Sequence, residues 1–121
     1  MSDPSSRQPT SPASSKPEEA VARFSPGELV HHARFGYRGV VVDVDATFQL
    51  SDEWYEEVAR SRPPKDRPWY HVLVDGSTST TYVAERHLET DSSLAPIRHP
   101  LLEQYFRDFC EGRYVADSQI N

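Results

Sequence analysis

Between Trp69 and Asp75 nearly every side chain is large and apolar, and the run divides cleanly by parity. Tyr70, Val72 and Val74 share one face and Trp69, His71 and Leu73 the other, which predicts a β-strand covered on both sides. Asp75-Gly76 opens a polar turn, and Thr80 to Ala84 returns as an antiparallel partner rich in β-formers. Upstream, Phe24-Ser25-Pro26-Gly27 reads as a turn into a first strand, Glu28 to Ala33. Gly36 and Gly39 bracket Tyr37-Arg38 as a tight reversal, and Arg38 to Asp45 follows as a strand. Its consecutive Val40, Val41 and Val42 imply burial on both faces. Ser51 caps a short helix with Asp52 and Glu53 in its first turn, where the helix dipole favours acids. Trp54, Tyr55 and Val58 form its apolar stripe, and Pro63-Pro64 ends it. A short strand is expected around His87-Leu88-Glu89. A last helix is expected from Pro100, with Leu102, Tyr105, Phe106 and Phe109 at helical spacing and Gly112 as its stop. Short strands, glycine turns and a covering helix make a small curled sheet or partly open barrel.

Composition places the domain within the chain. All 13 aromatic residues of the 121 lie at or after Phe24, whereas residues 1–23 hold six serines and four prolines. Such a segment buries too little apolar surface to offset its ordering entropy, so residues 1–23 are expected to be a disordered tail. The folded domain is expected over 24–115, with 116–121 as a C-terminal tail. The tail charges cancel, Arg7, Lys16 and Arg23 against Asp3, Glu18 and Glu19, so the net charge of -6 falls on the domain. That balance opposes tight, sequence-blind binding to nucleic acid, which depends on cations neutralising phosphates. The one cysteine, Cys110, excludes an internal disulfide. The N-terminus has Ser and Pro where an export signal has an apolar stretch, so a cytoplasmic location is expected.

Candidate chemistry is sparse. His31, His71 and His87 would converge if their strands paired, but adjacent His31 and His32 point to opposite faces and no metal-binding spacing appears. No metal and no cofactor are expected. Cys110 follows Phe109 on the expected helix and reads as a buried, inert thiol, and Asp43 with Asp45 as a solvated strand end. Neither a nucleophile elbow nor a phosphate cradle is present, so no catalytic residue is assigned and the protein is read as a non-enzyme. Charge is more informative. Six acids and no base lie between Asp43 and Glu57, and four bases, Arg60, Arg62, Lys65 and Arg67, follow by residue 67. A solvated helix and its loop explain most of these charges; a bipolar docking surface is the sharper reading, with Asp52, Glu53, Trp54 and Tyr55 as its candidate contacts. In His31 to Arg38, Arg34, Phe35, Tyr37 and Arg38 interleave basic and aromatic groups as nucleic-acid platforms do. Phe35 and Tyr37 equally suit pinning the turn, and Arg38 an ion pair with Asp43 or Asp45.

Longer blocks carry a family resemblance. Phe35-Gly36-Tyr37-Arg38-Gly39-Val40-Val41-Val42-Asp43-Val44-Asp45 and Asp52-Glu53-Trp54-Tyr55 resemble the HspQ (YccV-like) heat-shock protein family. So do Arg67-Pro68-Trp69-Tyr70-His71-Val72-Leu73-Val74-Asp75-Gly76, Thr81-Tyr82-Val83-Ala84-Glu85, Ile97-Arg98-His99-Pro100, Tyr105-Phe106 and Gly112-Arg113-Tyr114. The resemblance covers essentially all of 24–115; the N-terminal tail is longer than the family usually shows. It implies a mostly β fold, a small SH3-like barrel of about five antiparallel strands with one short inserted helix and a C-terminal helix. It also implies a stress-response role as a specificity-enhancing adaptor for the Lon protease, promoting degradation of denatured proteins, including the initiator DnaA. Binding of hemimethylated duplex DNA is the second implied activity, and a homotrimer the implied assembly. Related domains in ubiquitin-ligase F-box proteins and chloroplast Clp adaptors fit the degradation role. Arg34, Arg38, Arg60, Arg62, Lys65 and Arg67 are the expected DNA or partner contacts, provided folding gathers them on one face.

Overall fold

The computed structural model describes residues 21–116. The expected tails therefore lie outside the described residues, apart from their inner ends at 21–23 and 116. Seven strands and two short helices follow in order: β1 (Leu29–His32), β2 (Arg38–Asp45), α1 (Asp52–Val58), β3 (Trp69–Val74), β4 (Thr80–Ala84), β5 (Leu88–Thr90), α2 (Leu102–Tyr105), β6 (Asp108–Cys110) and β7 (Arg113–Val115). A 3-10 turn, Glu85–His87, links β4 to β5. The first five strands form one antiparallel sheet in the order β4-β3-β2-β1-β5, and β6 pairs with β7. The protein is mostly β, as expected. The barrel is not closed: β4 and β5 stand at opposite edges of the sheet and do not pair with each other.

The central strands bury both faces. Val40 and Val41, fully buried neighbours on β2, go to opposite sides. Val41 packs with Phe24, Val30, Tyr70, Val72, Val83 and Leu88, and Val40 with Leu29, Leu73, Ile97, Phe106 and Tyr114. The β2–β3 register shifts between Val41 and Asp43, a bulge that sets Asp43 opposite His71 and Asp45 opposite Trp69. A third cluster, Tyr55, Ala59, Trp69 and Ala84, holds α1 against the sheet. Ser51 caps α1 as expected, its Oγ accepting the Trp54 N–H at 3.1 Å.

The C-terminal region differs from the sequence reading. Its helix ends after one turn at Tyr105; Phe106 is extended and buried, and Phe109 lies on β6. Gly112 ends no helix. With Glu111 at φ 53° and Gly112 at φ 79°, the two-residue link between Cys110 and Arg113 turns the hairpin in the left-handed region. The hairpin docks where the Tyr114 N–H donates to the Gly27 carbonyl at 2.9 Å. Cys110 is exposed, because the strand turns its side chain away from Phe109, which packs on Tyr114. Among the described residues no helix is long and apolar enough to cross a membrane.

Candidate binding groove

His32, the last residue of β1, is buried and organises the turn that follows. Its Nδ1 accepts the N–H groups of Arg34 at 3.1 Å and Phe35 at 3.0 Å, and Gly36, at φ 80°, closes the reversal by donating to the His32 carbonyl. An imidazole that accepts at Nδ1 must be neutral. Burial, then the charges of His87, His31 and Arg34, lower its pKa to about 4. Phe35 stacks on this ring at 4.6 Å, with Tyr37 at 5.0 Å and His87 at 5.6 Å. Phe35 is 72% exposed nonetheless. Burial raises the pKa of Tyr37, whose hydroxyl meets Thr81 Oγ1 on β4 at 2.8 Å.

A second wall comes from α1 and its loop. Tyr55 is buried, its hydroxyl donating to the Pro63 carbonyl at 2.7 Å, while the Trp69 indole N–H donates to the Pro64 carbonyl at 3.0 Å. Trp54 lies edge-on to Tyr82 with ring centres 5.7 Å apart. Burial, then the hydrogen bond that Tyr82 donates to Asp45 at 2.7 Å, raises the Tyr82 pKa above the ordinary phenol range. Ser61 Oγ meets His87 Nε2 at 2.9 Å and the Ser61 carbonyl accepts from Arg86 at 2.7 Å, tying the loop to the 3-10 turn. Burial, then Arg86 and Arg34, lower the pKa of His87.

Between the turn and α1 lies a groove of about 640 Å³ with β4 along it. Its lining includes Phe35, Tyr37, Trp54, Trp69 and Tyr82, together with Leu50 and Val58, which are 40% and 56% exposed. Arg34 and Arg60 also line it, and no carboxylate does. This surface suits non-covalent capture: aromatic and aliphatic walls, cations at the margin, and backbone along one side.

Folding thus unites Arg34, Phe35, Tyr37, Trp54 and Arg60 and leaves the other sequence candidates elsewhere. Arg38 donates from Nε to Asp91 at 2.9 Å, from Nη1 to Asp75 at 3.2 Å, and from Nη2 to the Ala95 carbonyl. Its ion pairs are therefore structural, but with Asp75 and Asp91 rather than Asp43 or Asp45. Burial pushes the Asp91 carboxyl up, but hydrogen bonds from Ser93 and Arg38 and the Arg38 charge hold it below its ordinary value. Arg62 pairs with Glu56 at 2.9 Å, and Lys65 with Asp52 at 3.2 Å, its ammonium also 4.3 Å from the centre of the Tyr55 ring. The expected bipolar surface therefore folds back and partly neutralises itself. Glu53 and Arg67 are exposed, and among the described residues neither forms an ion pair. Tyr55 is no surface anchor, because α1 turns it inward onto Trp69.

The three histidines named for a metal do not meet: His31 faces Glu89, His71 faces Asp45, and His87 faces Ser61. A cation would instead find Asp43, Asp45 and His71, whose ligand atoms lie within 4.8 Å of one another. Tyr82 and His71 already contact the same oxygen of Asp45. Sequence reasoning missed His32 as the turn's organiser, His87 and Ser61 as its brace, and Leu50 as an exposed wall. No sequence signal marked His32, since its burial and its two accepted N–H groups depend on the folded turn. A family model described as hemimethylated DNA-binding protein YccV like matches residues 22–120.

Proposed function

We propose, because the chain belongs to the YccV-like family of hemimethylated DNA-binding proteins, that it is a non-enzymatic binding module whose groove captures exposed apolar segments of denatured proteins and passes them to an ATP-dependent protease. The family is one of binding domains. The observation that carries the adaptor reading is the groove of about 640 Å³, which exposes Phe35, Leu50 and Val58 and is lined by no carboxylate. Full burial of one such side chain contributes on the order of 1.5–3 kcal/mol, less than the roughly 4 kcal/mol or more that association costs, so capture needs several of them together and is reversible. The resemblance to HspQ proteins supplies Lon as the protease and DnaA as one client, and a homotrimer as the assembly, for which light scattering is the check.

Added to purified Lon, the protein is expected to speed turnover of a denatured client, and Phe35→Ser is expected to abolish most of that gain. Unchanged turnover across a stoichiometric excess removes the adaptor role. The family description favours a second reading, in which Arg34 and Arg60 at the groove, with Arg86 nearby, contact the phosphates of hemimethylated duplex DNA. Against tight binding stand the net charge of -6 and the engagement of Arg38, Arg62 and Lys65 by acids. That reading predicts low-salt retention of hemimethylated duplex that is lost in an Arg34→Ala, Arg60→Ala variant. Equal, negligible retention of every duplex eliminates it.

A further inference from the structure

The two outer strands of the sheet are guarded differently. β5 has three residues and carries Glu89, a short, charged edge of the kind that resists pairing. β4 has five residues, Thr80-Thr81-Tyr82-Val83-Ala84, with neither charge nor proline, and it borders the groove along its whole length. The hydrogen bonds at its two ends fix which backbone groups are engaged. Val74 N–H donates to the Ser79 carbonyl and Glu85 N–H to the Pro68 carbonyl, each at 3.1 Å, with unbroken register between them. In an antiparallel ladder hydrogen-bonded pairs alternate, so Thr81 and Val83 turn their backbone groups to β3, and Thr80 and Tyr82 turn theirs outward. Among the described residues nothing pairs with those outward groups of Thr80 and Tyr82.

The groove's walls stand on either face of this edge. Tyr37 touches β4 through Thr81 on one face, and Trp54 touches it through Tyr82 on the other. A strand laid along β4 would present successive side chains alternately to the Phe35 wall and to the Trp54 wall. Arg34 and Arg60 are the charged groups among the lining residues, so the complementary occupant carries acid. Residues 1–20 of this chain are a poor candidate, with prolines at 4, 9, 12 and 17, no aromatic residue and no branched aliphatic.

We infer that an extended segment of an unfolded partner chain, with large apolar side chains at alternate positions and an acidic residue at its flank, adds to the sheet as a further strand along Thr80–Ala84. This rests on the adaptor reading and gives it a mode: ladder hydrogen bonds supply affinity whatever the client's sequence, and the two walls supply preference. Such recognition suits a factor that must accept many denatured proteins and no folded ones, since a folded protein's strands are already paired.

The test uses the full chain and a synthetic peptide of about eight residues, alternating Leu or Phe with Thr and ending in two Glu. Two further peptides carry N-methyl groups on alternate amides, one set on each parity. Strand addition predicts that one parity weakens binding at least about tenfold, because it removes the ladder donors and adds bulk there, while the other parity binds within about twofold of the parent. Thr80→Pro, which removes one outward N–H and spares the ladder to β3, is expected to weaken the parent peptide several-fold with an unchanged melting temperature. Equal binding of both methylated peptides overturns strand addition and leaves capture by the groove standing. Failure of both the parent peptide and a denatured client to bind overturns the adaptor reading itself. Displacement of the peptide by hemimethylated duplex, with both methylated peptides binding alike, assigns the groove to DNA and overturns the inference.

Discussion

A single neutral imidazole holds the turn that presents Phe35 and Arg34. His32 accepts two backbone N–H groups only while unprotonated, and its folded pKa of about 4 lies below the ordinary 6.5. Between those values the unfolded chain takes up a proton that the folded chain refuses. Stability is therefore expected to fall as pH drops from about 6.5 toward about 4, by up to roughly 3 kcal/mol from this residue, and the groove is expected to open over the same range. Urea unfolding at several pH values checks this; His32→Gln is expected to flatten the slope through that window. An identical slope in that variant contradicts the assignment. Little of this was legible beforehand, because a histidine at a strand end has no sequence signature for burial, and Arg38 resembled its neighbours in the basic patch until folding set it against Asp75 and Asp91.

At the scale of elements, legibility follows how far the deciding contacts lie along the chain. Parity on β3 sorted Tyr70 and Val72 from Trp69 and Leu73 because both faces are covered, and Ser51 marked the start of α1 because its partner lies three residues on. The C-terminal segment defeated the same method. Leu102, Tyr105, Phe106 and Phe109 satisfy a helical period, yet Phe106 and Phe109 pack on Tyr114 from extended backbone, a tertiary preference outweighing a local one. Val58 belonged to the apolar stripe of α1 and proved exposed, since of that helix only Tyr55 is buried. Of the β3 positions, Val72 is fully enclosed among Val41, Tyr70 and Val83. Val72→Asp is expected to unfold the protein, since burying an unpaired carboxylate costs several kcal/mol. Soluble, monodisperse expression with native circular dichroism would contradict that facing.

Across the whole molecule, charge is distributed against its own average. The chain carries -6, yet the lining of the groove holds two arginines and no carboxylate, while Asp52 and Glu56 of α1 pair with Lys65 and Arg62 of its own loop. The sequence showed the two basic clusters but not that Arg34 and Arg60 would line one groove, because that depends on long-range contacts such as Ser61 meeting His87. The central claim is that this groove, rather than the Arg38 side of the sheet, receives unfolded polypeptide. Titrating a permanently unfolded, carboxymethylated protein into the isotope-labelled chain and following its amide resonances tests that most directly. Binding in the groove shifts resonances concentrated at Arg34 to Tyr37, Trp54 to Ser61 and Thr80 to Ala84. Shifts centred instead on Arg38, Asp75 and Asp91, or none at saturating client, would contradict it.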